Sequence, residues 1–276
     1  MEKYGKLYVV ATPIGNLDDI TLRAINVLKN VDLIAAEDTR HTLKLLNHLE
    51  ISKPLISYYR HNEDVKSDVL IEKLQDGNNI ALVSDAGTPG ICDPGEEIIH
   101  KCIENNIDVI PIPGACALIN ALIGSGIDTK EFIFLGFLPL NKKLRKNKFD
   151  EIKNSKKTII IYEAPHKMKN TLSDLKEVLT SDRRIVLARE ITKIHEEFIR
   201  ADNIDELISI FQEYRGEMIL IIEGSKENIV KNDFESMTLE EHYNFYEKQG
   251  FNKKEIIKKI AKDRNVNKNE IYKKFI

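Results

Sequence analysis

Only three cysteines, Cys92, Cys102 and Cys116, occur in 276 residues. They form no CxxC pair and leave one thiol over, which argues against a disulfide framework and a structural zinc and fits a reducing cytosol. The seven histidines are scattered, with no HExxH or similar cluster, so no metal is expected. Neither GxGxxG nor a Walker loop follows a strand, which removes the usual grounds for NAD or ATP. No apolar run approaches the roughly 20 residues of a membrane span. The opening Met1-Glu2-Lys3-Tyr4-Gly5 does not read as a signal peptide. The expectation is a cytoplasmic chain with no membrane partner.

What is present describes a globular chain. Apolar residues at 42% and charged residues at 31% exclude a disordered chain, and the length allows two domains, each with ample core. The net charge of −3 hides an asymmetry: Phe251 to Ile276 carries nine basic residues against three acidic ones, a net of +6, and the remainder is near −9. A basic tail on an acidic body is a candidate nucleic-acid contact, or else a solvated helical face.

The central stretch is Ala81 to Gly95. The buried-strand pattern Ile80-Ala81-Leu82-Val83 opens into a loop, 85–95, with three Gly, two Pro and two Asp in eleven residues. A loop that only turns the chain needs about two to five residues. Ligands of open α/β sheets lie beyond the carboxyl ends of strands, where this loop falls. Three further strands end in the same region of the fold. Lys6 to Ala11 runs into the turn Thr12-Pro13-Ile14-Gly15-Asn16-Leu17, with a helix opened by Asp18 to Thr21. Val31 to Ala36 delivers Glu37, Asp38, Thr39 and Arg40, a charge density that packing alone does not explain, although a helix-capping cluster would also account for it. Ile107 to Ile112 ends in Pro113-Gly114-Ala115-Cys116-Ala117 before the helix Leu118 to Ile123. Several such turns converging on one sheet edge make a binding site.

Gly124-Ser125-Gly126 reads as a hinge to a second domain. Apolar runs there span Phe132 to Phe137, Thr158 to Tyr162, Arg184 to Ala188 and Met218 to Ile222, with helices near 165–179 and 203–213, again α/β. Asn141 to Lys148 is strongly basic and reads as a loop, phosphate-contacting or merely solvated. Gly224 to Asp233 reads as a polar linker. Three short amphipathic helices follow, about Leu239–Gln249, Lys253–Asp263 and Asn267–Phe275, with Asn267 and Glu270 near a capping box and a helix-turn-helix-like spacing. The expected domains are 1–123, 124–226 and 236–276.

Five motifs in this order, Thr12 to Leu17, Ala36-Glu37-Asp38-Thr39-Arg40, Ser84-Asp85-Ala86-Gly87-Thr88-Pro89, Tyr162-Glu163-Ala164-Pro165-His166-Lys167 and Ala188 to Glu197, resemble those of the small-subunit ribosomal RNA methyltransferase I family, within the tetrapyrrole methylase superfamily. The likeness runs from about Lys6 to Gly224 and on into the tail. It implies S-adenosylmethionine as donor, 2′-O-methylation of a cytidine ribose in the decoding region of 16S ribosomal RNA, and a homodimer. It also implies donor contacts from Pro13, Ile14, Asp85, Gly87, Thr88, Cys116 and Ala117, with Tyr162, Ala188 and Met218 added from related members. Cys116 stands where the family often has Ser, and Leu140 where it often has Arg, leaving Lys142 or Lys143 as the basic contact. By residue type, Glu190, Lys193, Glu37 and Asp38 all qualify as the base, with Lys193 alternatively a cation for phosphate. A small-molecule methylase acting on a tetrapyrrole and a non-catalytic nucleic-acid-binding module are the alternative readings.

Overall fold

Short apolar runs with alternating faces become the strands of two five-stranded sheets in a computed structural model that describes residues 4–226, 234, 237–248, 250–264 and 266–275. The first sheet holds β1 (Leu7–Val10), β2 (Leu33–Ala36), β3 (Leu55–Ser57), β4 (Ile80–Val83) and β5 (Val109–Ile112), all parallel, in the order β3-β2-β4-β1-β5. Alternation sends Leu7, Val9, Ile80 and Leu82 to one face, where α3 (Glu63–Gln75) and α4 (Glu96–Glu104) cover them. Val10, Ala81 and Val83 face α1 (Leu22–Asn30) and α2 (Thr39–His48). A doubly covered parallel sheet needs strands apolar on both faces, which these runs are.

The second sheet is mixed. It holds β6 (Phe132–Phe137), β7 (Thr158–Glu163), β8 (Ile185–Arg189), β9 (Glu197–Ala201) and β10 (Met218–Ile222), in the order β6-β7-β10-β8-β9, with only β6 and β7 parallel. On one face lie α6 (Lys142–Asn154), α7 (Pro165–Lys176) and α8 (Ile204–Ile210). On the other, α5 (Ala117–Ser125) buries Leu118, Ala121 and Leu122 against Ile160, Val186, Ile219 and Ile221. Ile14, from the turn after β1, joins this cluster. Both sheets therefore belong to one compact unit, 1–226, and 227–276 forms another. Among the described residues no helix is long and apolar enough to cross a membrane.

Two sequence expectations change here. Asn141 to Lys148 is not a loop: the Asn141 side chain accepts the Lys143 and Leu144 N–H groups at 3.0 and 3.2 Å and starts α6, whose Phe149 and Ile152 are buried. The stretch read as a hinge is the end of α5. A Cβ on Gly124 would run into the Phe198 ring, Arg200 donates to the Gly124 and Ser125 carbonyls, and Gly126 at φ +76° closes the helix.

In the C-terminal unit, α9 (Leu239–Glu247), α10 (Lys253–Asp263) and α11 (Lys268–Lys274) surround a core of Tyr246, Ile256, Ile257, Ile260 and Ile271. The capping boxes are Thr238 with Glu241 and Asn252 with Glu255. Asn267 instead takes the Asn269 N–H, at 3.0 Å, so the expected box with Glu270 does not form. Of the expected linker, Gly224 and Ser225 lie against the end of α6, where Ser225 N–H donates to the Ser155 carbonyl at 2.7 Å and a Cβ on Gly224 would run into the Lys156 carbonyl. Residues 227–233 of that linker lie outside the described residues, as does Gln249 at the expected end of the first tail helix.

Arg183 and Arg184 differ in kind although they are neighbours. Arg183 is 1% exposed and donates to the Glu223 and Ile152 carbonyls at 2.6 and 2.8 Å, closing the end of α6. Arg184 is a half-exposed partner of Glu223, at 3.0 Å. Arg183→Ala strands buried carbonyls at about 1–3 kcal/mol each and should cost roughly 2–5 kcal/mol. Arg184→Ala should cost about 1 kcal/mol or less. Urea unfolding of the two variants side by side checks this, and equal losses would contradict it.

Candidate active site

Because the first sheet is parallel, β1, β2, β4 and β5 all release their chains at one edge. Side chains and backbone then tie those exits together. Thr12 N–H donates to the Gly87 carbonyl at 2.8 Å and Gly87 N–H to the Thr12 carbonyl at 3.0 Å. Gly87 sits at φ +82°, and a Cβ there would lie 3.2 Å from the Ile14 side chain. The Thr88 hydroxyl donates to the Ala115 carbonyl at 3.1 Å, reaching the exit of β5. Glu37 accepts the Asp85 N–H at 3.3 Å, while Asp85 accepts the Asp38 N–H at 3.0 Å. The far end of the central loop is held by Glu63, which accepts the Gly95 N–H at 2.9 Å, and by Tyr58, whose buried hydroxyl accepts the Ile98 N–H at 3.2 Å.

The second sheet supplies the opposite wall. The Tyr162 hydroxyl accepts the Leu118 N–H at 3.0 Å in the first turn of α5, and Phe134 and Phe137 meet its ring edge-on. Glu190 and Thr192, after β8, adopt left-handed backbone at φ +49° and +69°. The Glu190 carboxylate accepts the Glu217 N–H at 2.9 Å and meets the Lys193 ammonium at 3.1 Å; Lys193 also lies 3.4 Å from Glu217. Gly216 has to lack a side chain, since a Cβ would run into that carboxylate. The Lys193 stem crosses Gly15, where a Cβ would stand 3.1 Å from Lys193 Cε.

Between these walls lies a cavity of about 790 Å³. Ile14, Glu37, Asp85, Gly87, Thr88, Cys116 and Ala117 line it from the first sheet, and Tyr162, Glu190, Lys193 and Met218 from the second. Three expected residues are elsewhere. Pro13 is half-buried in the turn, where Ile14 makes the contact. Ala188 is fully buried in the core beneath α5, behind the wall. The Asp38 carboxylate turns away to Arg40 Nη2 at 2.7 Å and caps α2, and the Arg40 guanidinium holds it well below the usual carboxylate range; only the Asp38 N–H joins the site.

Electrostatics separate the remaining ionisable groups. Burial pushes Glu190 up, but the Glu217 N–H and Lys193 outweigh it and its carboxyl stays below its ordinary value. Burial likewise lowers Lys193, and Glu190 and Glu217 reverse this, so it is held as a cation and has no free amine to act as a base. Glu37 is raised by burial. Asp93, which sequence reasoning left out, also lines the cavity, and burial followed by the charges of Glu37 and Asp85 pushes it up to about 6. Its signal was present as the second Asp of the central loop, before Pro94 and Gly95. Cys92, Phe137 and Glu217 are other lining residues that residue patterns did not single out. The cavity is strongly anionic, opposed by Lys193 within it and by Arg60 nearby.

Residues 6–208 match the family model of the tetrapyrrole (corrin/porphyrin) methylases. A protein of Bacillus subtilis named ribosomal RNA small subunit methyltransferase I is 50% identical over 273 residues, covering 97% of this chain and 93% of that one. Its namesake in Halalkalibacterium halodurans is 48% identical over 272 residues, with the same coverage. A solved structure of uroporphyrin-III C-methyl transferase from Thermus thermophilus, complexed with S-adenyl homocysteine, shares the fold at a TM-score of 0.57 and 15% identity, over 79% of this chain and 97% of that one. The chain belongs to the tetrapyrrole methylase family and, within it, to the ribosomal RNA small subunit methyltransferase I group.

Proposed function

We propose that this protein is an S-adenosylmethionine-dependent methyltransferase that acts on 16S ribosomal RNA of the small ribosomal subunit, at the 2′-hydroxyl of a cytidine ribose in the decoding region. It works in the cytoplasm as a homodimer, for which the exposed Ile119 and Ile123 of α5 offer apolar surface. The observation that carries the reading is the match to named relatives over 97% of the chain, basic tail included. A tetrapyrrole substrate would leave that tail without a purpose.

The cavity's residues fit such a donor. The donor is a cation with a sulfonium and an ammonium group, and the unneutralised carboxylates of Glu37, Asp85 and Asp93 suit it. Bound, the donor supplies a methyl group made electrophilic by positive sulfur. Gly87 and Thr88 present backbone close to the cavity, and Ile14, Ala117 and Met218 present apolar surface. Cys116 lines the same wall, so a thiol stands where the family often has a hydroxyl. Lys193 offers a fixed positive charge to a phosphate of the acceptor strand. Positioning of this kind lowers a barrier by several kcal/mol, since both reactants are held before they meet.

The direct test is transfer from labelled donor to 30S subunits and to naked 16S RNA, with the modified nucleotide mapped. Label on a cytidine ribose of the decoding region is expected; label on no RNA would remove the reading. For the donor site, Gly87→Val puts a branched side chain at positive φ beside Ile14, and donor affinity should fall by about tenfold or more in a protein that still melts cooperatively. Unchanged calorimetric affinity would move the donor elsewhere. For the tail, Lys254, Lys258 and Lys273 are exposed, and changing all three to Gln should lower the slope of log affinity for RNA against log salt by about 2 while donor affinity stays put. An unchanged slope would assign the tail a structural role.

A further inference from the structure

Two aromatic rings line the cavity among the described residues, and they differ in kind. Tyr162 is half-buried, with its hydroxyl tied to the Leu118 N–H at 3.0 Å. Phe137 is 57% exposed. A lone exposed apolar side chain needs no explanation. Phe137 needs one, because three separate features fix where it points. First, β6 gains a residue against β7: Phe134 stands opposite Ile160 and Phe137 opposite Tyr162, so three steps on one strand match two on the other. A bulge of this kind changes the face that the following side chains take. Leu135 and Leu138 keep to the core beneath α6 and α7, and Phe137 comes round to Tyr162. Second, Gly136 holds φ +60°, and a Cβ on it would stand 3.1 Å from the Cys92 sulfur. Third, the Phe137 N–H faces that sulfur, and Tyr162 meets the Phe137 ring edge-on at 5.7 Å between centroids. The ring is fixed in place and yet open.

We infer that Phe137 is the platform on which the base of the acceptor nucleotide stacks while its ribose meets the donor. This rests on the methyltransferase reading above. To bring a ribose hydroxyl to a donor inside a cavity, a nucleotide has to leave its stack and give up the contacts it had there. An aromatic side chain returns them, since every base has a π-face.

Charge selects the same part of the acceptor. The carboxylates of Glu37, Asp85, Asp93 and Glu217 repel phosphate, whereas an uncharged base meets no such barrier. Phosphate finds counter-charge further along the same segment. Lys142 and Lys143, five and six residues after Phe137, are exposed in the first turn of α6. An aromatic ring followed closely by cations is the pairing that single-stranded nucleic-acid sites use. The adenine of the donor is a flat group too. The apolar wall of Ile14, Ala117 and Met218 is sheltered, however, where Phe137 is open, and an open ring suits the partner that comes and goes with each turnover.

The test is methyl transfer to 30S subunits below saturation, with donor affinity measured by calorimetry and folding by thermal melting. Phe137→Ala should lower kcat/KM for 30S subunits by about tenfold to a hundredfold. Donor affinity should stay within about a factor of two and melting should not move, because the ring lies mostly in solvent. Phe137→Leu keeps apolar bulk without a flat face and should lose nearly as much; Phe137→Trp should stay within a few-fold of the parent. Full activity in Phe137→Leu overturns the inference, since apolar contact would then suffice. So does a Phe137→Trp as impaired as Phe137→Ala, which would make the ring a packing element. A fall in donor affinity that accounts for the whole loss overturns it by giving the ring to the adenine. The Leu and Trp substitutions decide the matter even if Phe137→Ala fails to fold. A parent that transfers no methyl to RNA would overturn the methyltransferase reading itself and this inference with it; an active parent indifferent to all three substitutions overturns only the latter.

Discussion

The sheet edge depends on carboxylates that accept backbone N–H groups from neighbouring exits. Glu37 leaves β2 and takes the Asp85 N–H; Asp85 leaves β4 and takes the Asp38 N–H back on β2. Strand pairing alone stops at Ala36 and Val83. Beyond that point the chains would diverge, and each exit would carry unpaired donors into a half-buried space, at a cost of about 1–3 kcal/mol per group. The reciprocal bonds extend the register by side chain where backbone can no longer do it. They also leave each carboxylate one further oxygen for a ligand. The same atoms thus hold the loops and charge the cavity.

That charge divides the protein by partner. In the proposed reaction a cationic donor is drawn into the anionic cavity, whereas a polyanionic acceptor is repelled by it. The acceptor must therefore be held by positive charge elsewhere, the role proposed above for the net +6 of Phe251 to Ile276. Within the cavity, Lys193 is the exception, and its ammonium is balanced by Glu190 and Glu217 so that it adds direction without cancelling the field. A uniformly basic site would bind RNA and refuse the donor. A uniformly acidic chain would do the reverse.

Much of this was legible from residue patterns because it rests on local rules. Ile80 to Val83, Phe132 to Phe137 and Met218 to Ile222 are strands with the bounds expected, since apolar runs flanked by breakers leave little choice. β3 and α3 were not, for opposite reasons. β3 is three half-buried residues at a sheet edge, too short for a pattern, and α3 exposes Val65 at 70%, which blurs its apolar stripe. α6 was hidden by lysines, because only Phe149 and Ile152 of its thirteen residues are buried. At the site, convergence of strand exits was legible from topology, but direction was not. Asp38 and Ala188 sit one and two residues along the chain from the cavity-lining Glu37 and Glu190 and point away, one to Arg40 and one into the core, and only tertiary packing decides that.

The turn after β8 shows what the fold tolerates to place one cation. Glu190 and Thr192 both hold left-handed backbone, which costs a residue with a Cβ about 1–2 kcal/mol. Nothing in the strand pairing requires it, since β8 and β9 could be joined by a relaxed turn. The compensation is local: Glu190 N–H donates to the Glu217 carbonyl at 3.0 Å, Glu217 N–H returns to the Glu190 carboxylate, and Thr192 N–H donates to Glu196 at 2.6 Å. What the strained turn achieves is the position of Lys193, its stem over Gly15 of the first sheet and its ammonium at the cavity wall. Strain retained where relaxed alternatives exist points to a function for the group it places. It also explains two glycines at once, because Gly15 and Gly216 are the only residue type that leaves room for the Lys193 stem and the Glu190 carboxylate. The turn, its two glycines and its ion pair all bear on one group, the Lys193 ammonium at the cavity wall.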